Sequence, residues 1–181
     1  MLITKSVRKL EAYTPGEQPK AKNVVKLNTN ENPYPPSPRC AAVLKNFDLD
    51  RLRRYPDPVF AELRAELAKI NGTKPENIFV GNGSDEVLTV AAKTFVEDNE
   101  AIGSLDPSYS LYKTLADIRN VPWVGVDVSA VGKFEDPKVS LFLWTNPNAP
   151  TGVFAPKKKP YHAVLCAYAV LAVISNCYPP V

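Results

Sequence analysis

The sequence predicts an α/β fold with a mainly parallel sheet, entered through an extended N-terminal arm. Three observations predict it. From Pro75 onward, short apolar runs alternate with helix-periodic segments, the pattern of parallel strands joined by crossover helices. Those apolar runs end in turns rich in Gly, Asn and Pro. Upstream, many of the 18 prolines crowd the first part of the chain. Proline removes backbone donors and restricts its neighbours, which keeps such a segment extended.

Residues 1–36 read as the arm. Tyr13-Thr14-Pro15-Gly16 is turn chemistry, and Val24 to Asn28 is expected as a short strand. Asn30-Glu31-Asn32-Pro33-Tyr34-Pro35-Pro36 cannot be helical. Ser37-Pro38 is an N-cap followed by Pro at the first helical position, opening a helix to about Phe47. Asp57-Pro58 repeats the device. The helix behind it is expected to bury Val59, Leu63, Leu67 and Ile70, and Asn71-Gly72 stops it. Between the two helices, Arg53 to Asp57 is an exposed linker.

Ile78-Phe79-Val80 is expected as a strand leading into Gly81-Asn82-Gly83-Ser84, with a helix from about Asp85 to Val96. Ala101 to Leu105 is a further strand candidate. Asp106-Pro107 is expected to open a helix through Tyr109, Tyr112, Leu115 and Ile118, and Val121–Val128 and Val139–Trp144 complete the strands. Residues 37–156 thus form the predicted sheet domain, and 157–181 a tail of different character. Ala163 to Ile174 holds ten Ala, Val, Leu or Ile among twelve residues. That is too short for a comfortable membrane span and shows no amphipathic face, so a buried helix or strand is expected.

Charge narrows the function classes. The first 150 residues balance at 19 basic and 19 acidic groups, and the net charge of +3 comes from Lys157–Lys159. Nucleic-acid binders carry a concentrated basic footprint, which is absent here. Cys40, Cys166 and Cys177 show neither metal-ligand spacing nor a disulfide framework, so no metal is expected. Few cysteines and no apolar leader at Met1–Leu10 point to a reducing, cytoplasmic setting.

Three stretches could carry chemistry. Gly81-Asn82-Gly83-Ser84-Asp85-Glu86 offers free N–H groups at a helix start, a ready anion site. Read alone, it is equally the start of an ordinary capped helix. Tyr109, in Asp106-Pro107-Ser108-Tyr109, could stack on a flat ring, although alone it could equally be packing. Asn146-Pro147-Asn148-Ala149-Pro150-Thr151-Gly152 puts amide side chains on a rigid loop after a strand. In open α/β sheets, ligands bind outside the carboxyl ends of the strands. Together these stretches suit a planar, phosphorylated, hydroxylated heteroaromatic such as pyridoxal 5′-phosphate.

These motifs run in the order found in one family. With Tyr13–Glu17, Lys26–Tyr34 and Arg54-Tyr55-Pro56-Asp57-Pro58, the chain resembles the fold-type I, pyridoxal-phosphate-dependent aminotransferases of class I/II, over about residues 7–156. Within them it is similar to the histidinol-phosphate aminotransferases. The resemblance implies an incomplete large domain of the aspartate-aminotransferase-like fold. It implies amino transfer between histidinol phosphate and 2-oxoglutarate, in a homodimer. The alternatives it leaves are an aromatic-amino-acid aminotransferase, a phosphothreonine decarboxylase, or a non-catalytic fragment pairing with a full-length subunit.

It also implies residue roles. The amides of Gly83, Ser84 and Asp85 would hold the cofactor phosphate, Tyr109 would stack on the ring, and Tyr55 would reach the phosphate of a partner subunit. Tyr13, Asn30 and Asn32 would lie near substrate. The family loop often has Asn directly before Pro-Thr-Gly. Here that place is Ala149, so Asn148 becomes the implied donor to the ring hydroxyl. The family's Schiff-base lysine lies far downstream of this loop, and Lys157–Lys159 follow it too closely to serve. The family's Asp for the pyridine nitrogen has no match in Val173 to Tyr178. The chain is therefore expected to be inactive alone, and the break in composition after about Lys159 points to a shifted frame, an altered exon end or a mis-assembled gene.

Overall fold

The computed structural model describes residues 3–11, 14, 16–21, 23–28, 32–130 and 134–154, and the backbone of strands at 164–168 and 171–173. The chain divides into two compact units, Glu11–Pro58 and a larger one of Met1–Leu10 with Val59–Val181.

In the smaller unit, helix α2 (Pro38–Lys45; α1, Lys5–Arg8, belongs to the larger unit) starts as its sequence dictates. Ser37 Oγ accepts the Arg39 N–H at 3.3 Å, and Pro38 takes the first helical position. A 3-10 turn, Leu49–Arg53, follows, capped by Asp48, whose Oδ1 accepts the Asp50 N–H at 3.0 Å. Its arginines curl back on Asp50, with Arg53 Nε at 2.6 Å and Arg54 at 2.9 Å. The strand expected at Val24–Asn28 does not form. Those residues are irregular, and Asn28 Nδ2 instead donates to the Glu17 carbonyl at 2.9 Å.

The larger unit holds helix α1 (Lys5–Arg8), α3 (Ala61–Asn71), a 3-10 turn at Pro75–Asn77, α4 (Ser84–Phe95), β1 (Ala101–Leu105), α5 (Leu111–Arg119), β2 (Trp123–Val126), β3 (Val139–Leu143), β4 (Val164–Tyr168) and β5 (Leu171–Val173). The strand order is β2-β1-β3-β4-β5. The pairs among β2, β1, β3 and β4 are parallel, and β5 runs antiparallel to β4. The chain leaves β1 toward β2 and then returns to lay β3 on the other flank of β1. That reversal makes the gap between the carboxyl ends of β1 and β3 a topological switch point.

The core explains why these segments hold. Strand β1 is buried along its whole length, as a central parallel strand must be. Helices α4 and α5 press Val87, Leu88, Ala91, Tyr112, Leu115 and Ala116 onto Ile102, Leu141 and Leu143. A smaller cluster joins Leu105, Val126 and Phe142. Among the described residues, no helix is long and apolar enough to cross a membrane.

Four expectations need correction. Ile78–Val80 is not a strand; only Ile78 makes a bridge, and it is buried against Leu67 and Ala68. Helix α3 starts at Ala61, behind Phe60 at φ 50°, and buries Leu67 and Ala68. Val59, Leu63 and Ile70 are exposed, so the expected apolar face is not the packed one. Helix α5 begins at Leu111, and residues 106–110 remain a loop used for other contacts. Val121–Val128 shortens to the β2 span.

Candidate functional site

Three segments meet at the switch point. Two are the loops after the carboxyl ends of β1 and β3, Asp106–Ser110 and Trp144–Gly152. The third is the N-terminus of α4, which comes within reach because Tyr109 Oη lies 3.5 Å from Asp85 Oδ1.

The start of α4 is built around glycine. Gly83 occupies the N-cap at φ 84° and ψ 172°, a region essentially closed to residues with a Cβ. It offers no side-chain cap, so the first-turn amides of the helix receive none. A Cβ on Gly83 would meet nothing within 4 Å. The helix dipole makes the space in front of those amides favourable for an anion. The Gly83 amide itself donates to the Gly81 carbonyl at 3.0 Å, so the first-turn amides of the helix begin with those of Ser84 and Asp85. Glu86 folds back to accept the Asn82 N–H, drawing its charge away from the opening. Asp85 Oδ1 accepts from Ser84 Oγ at 3.3 Å.

Tyr109 stands beside this opening, partly exposed, its ring set edge-to-face on Tyr112 at 5.7 Å between centroids. Tyr112 is buried in the core, so the platform rests on α5.

Asn148 behaves differently from the sequence expectation. It is 1% exposed, and its amide is fully engaged inside the protein. Nδ2 donates to the Pro107 carbonyl at 2.8 Å and to Thr151 Oγ1 at 2.9 Å. Oδ1 accepts from Ser108 Oγ at 2.8 Å and Thr145 Oγ1 at 2.9 Å. A carbonyl only accepts, so Pro107 fixes which end of the amide carries nitrogen. Both amide hydrogens are used, and none remains for a ring hydroxyl. The loop is closed further by Asn148 N–H to the Val153 carbonyl at 2.8 Å and Gly152 N–H to the Asn148 carbonyl at 2.6 Å. The peptide bonds Asp106–Pro107, Asn146–Pro147 and Ala149–Pro150 are cis.

The remaining expected site residues belong to the smaller unit or fall outside the described residues. Tyr55 is fully exposed in the smaller unit. Asn32, in the same unit, accepts the Tyr34 N–H at 3.0 Å through Oδ1. Tyr13 and Asn30 fall outside the described residues. Sequence reasoning missed Ser108, Thr145 and Thr151 as the partners of Asn148. The available signal was a pair of threonines flanking an Asn-Pro loop, since short hydroxyl side chains bond readily to nearby turns. It also missed the turn-holding role of Glu86, although an acid three residues after an N-cap is a known device.

Against pyridoxal phosphate, the two ends of the site differ. The uncapped, open helix start fits the phosphate, and the half-exposed Tyr109 fits the ring face. The ring hydroxyl finds no donor in Asn148, and the Ala149 side chain has no polar group to offer.

Comparison with known proteins gives the context. Residues 22–168 match the family model "Aminotransferase class I and II", so the match continues past the Lys157 boundary set from composition. The chain is 43% identical over 157 residues to a histidinol-phosphate aminotransferase of Clostridium botulinum, covering 84% of this chain and 43% of that protein. It is 41% identical over 180 residues to histidinol-phosphate aminotransferase 2 of Burkholderia mallei, covering 95% and 50%. Among solved structures, the Sinorhizobium meliloti histidinol-phosphate aminotransferase in complex with pyridoxal-5′-phosphate aligns at a TM-score of 0.56 and 25% identity, over 67% of this chain and 35% of that one. The chain spans about half the length of the curated relatives it matches. A parallel sheet with its switch point between β1 and β3, and a matching family model over most of the residues, place the chain in the class I and II aminotransferase family.

Proposed function

We propose that the chain carries part of the cofactor site of a pyridoxal-phosphate-dependent aminotransferase of histidine biosynthesis, working between histidinol phosphate and 2-oxoglutarate. The observation that carries the cofactor reading is the uncapped α4 N-terminus beside Tyr109 at the switch point. The substrate reading is supported by the names of the relatives at 41–43% identity. Pyridoxal phosphate supplies an electron sink for moving an amino group between an amine and an oxo acid.

The residues of this chain bind and orient. Ser84 and Asp85 amides, with the turn at Gly83, hold the phosphate, and Tyr109 covers one ring face. Tyr55 belongs to a phosphate contact across a homodimer, and Tyr13, Asn30 and Asn32 belong to the substrate side. The 181-residue chain alone is proposed to be catalytically silent, because none of Lys157, Lys158 and Lys159 suits the covalent role of the cofactor lysine. Purified chain is expected to give no turnover of histidinol phosphate with 2-oxoglutarate. Measurable turnover would overturn the silence. Co-purification with a full-length homologue would favour a pairing role, and elution alone would argue against one.

A further inference from the structure

We propose that Asn148 is a positioning residue: it joins the loops after β1 and β3 across the switch point and thereby sets where Tyr109 stands. The joining is direct. Through one buried amide, Pro107 and Ser108 of the first loop are tied to Thr145 and Thr151 of the second. Pro107 and Ser108 immediately precede Tyr109, whose ring reaches Asp85 at the α4 N-terminus. Strands β1 and β3 are neighbours in the sheet, so the tie spans one strand gap. A buried amide with all four of its bonding positions satisfied resists displacement, because freeing one partner leaves a buried polar group unpaired. Ligand contact is not needed to explain any of its bonds.

The effect on cofactor binding rests on the proposed function, whereas the effect on Tyr109 does not, and the test separates them. The probes are pyridoxine 5′-phosphate, which lacks the aldehyde that would react with surface lysines, and its analogue without the ring hydroxyl. The variants are Asn148→Ala, Ser108→Ala and Ser108→Thr in the 181-residue chain. Asn148→Ala is expected to weaken both probes by a similar factor, about tenfold, as loss of a buried hydrogen-bonded pair implies. Ser108→Ala weakens them less, and Ser108→Thr, which keeps the hydroxyl, restores binding. A loss confined to the hydroxylated probe would make Asn148 a ligand donor and overturn the proposal. Unchanged affinity for both would overturn it too.

If the wild-type chain binds neither probe, the cofactor reading fails, and Tyr109 decides the positioning claim. With 13C-labelled tyrosine, the Tyr109 ring resonances are expected to move in Asn148→Ala and Ser108→Ala while circular dichroism stays unchanged. Unmoved resonances in the folded variants sink the claim. Should Asn148→Ala not fold, Ser108→Ala against Ser108→Thr carries the same comparison.

Discussion

Gly83 shows how a single residue sets the chemistry of a helix end. Its φ of 84° with ψ of 172° lies where a Cβ costs about 1–3 kcal/mol. Because a Cβ there would meet open space, the whole penalty is in the backbone. Gly83→Ala is therefore expected to lower unfolding free energy by about 1–3 kcal/mol in urea denaturation. Gly81 fails for a different reason. A Cβ at Gly81 would stand 2.9 Å from Glu86 Oε2 and 2.9 Å from Val87 Cγ2. The glutamate can swing away, but doing so releases the Asn82 amide, and buried Val87 cannot move as freely. Gly81→Ala is expected to destabilise as well, and in addition to expose the Asn82 amide to rapid hydrogen exchange. Retained protection at Asn82 would count against this account of the turn.

At the scale of elements, stability follows which faces are packed. Leu115 of α5 is buried between α4 and the sheet, so Leu115→Ala should cost about 2–5 kcal/mol by chemical denaturation. Ile70 of α3 is exposed, and Ile70→Ala should change stability by no more than about 0.5 kcal/mol. The contrast reflects what was legible in the sequence. The run from α4 to β3 was read correctly in type and order, because its amphipathic helices meet strands of the same sheet. Helix α3 was misread because periodicity says which residues are apolar, not which of them find a partner. The α5 start was misread because Asp-Pro is a good helix opener locally, whereas here Pro107 serves the Asn148 tie. The same limit governed Asn148. Its presence on a loop at a strand end was readable, but its four partners come from two loops brought together only by the fold. The 3-10 turn in the smaller unit offers a check by pH. Hydrogen bonding from Arg53 holds the Asp50 carboxyl below its ordinary range, against an opposing effect of desolvation, and Arg54 adds a smaller lowering. A lowered carboxyl pKa contributes stability above the unfolded value and loses it as pH falls through the folded one. NMR titration of Asp50 should therefore give a midpoint below the model-compound value, moving upward in Arg53→Gln.

Across the larger unit, the sheet with helices α4 and α5 packed on it forms the body on which the site is mounted, and the site occupies the place where strand order reverses between β1 and β3. The position follows from topology, and the chemistry from the short segments delivered there: an open helix start, an aromatic ring and a tied loop. The most direct test is an equilibrium titration of the 181-residue chain with pyridoxine 5′-phosphate and with unphosphorylated pyridoxine, repeated in Tyr109→Ala and Gly83→Val. Saturable binding that requires the phosphate and weakens in both variants is the predicted result. Binding that ignores the phosphate, or that survives undiminished in both folded variants, would contradict the assignment of the switch point as the cofactor site.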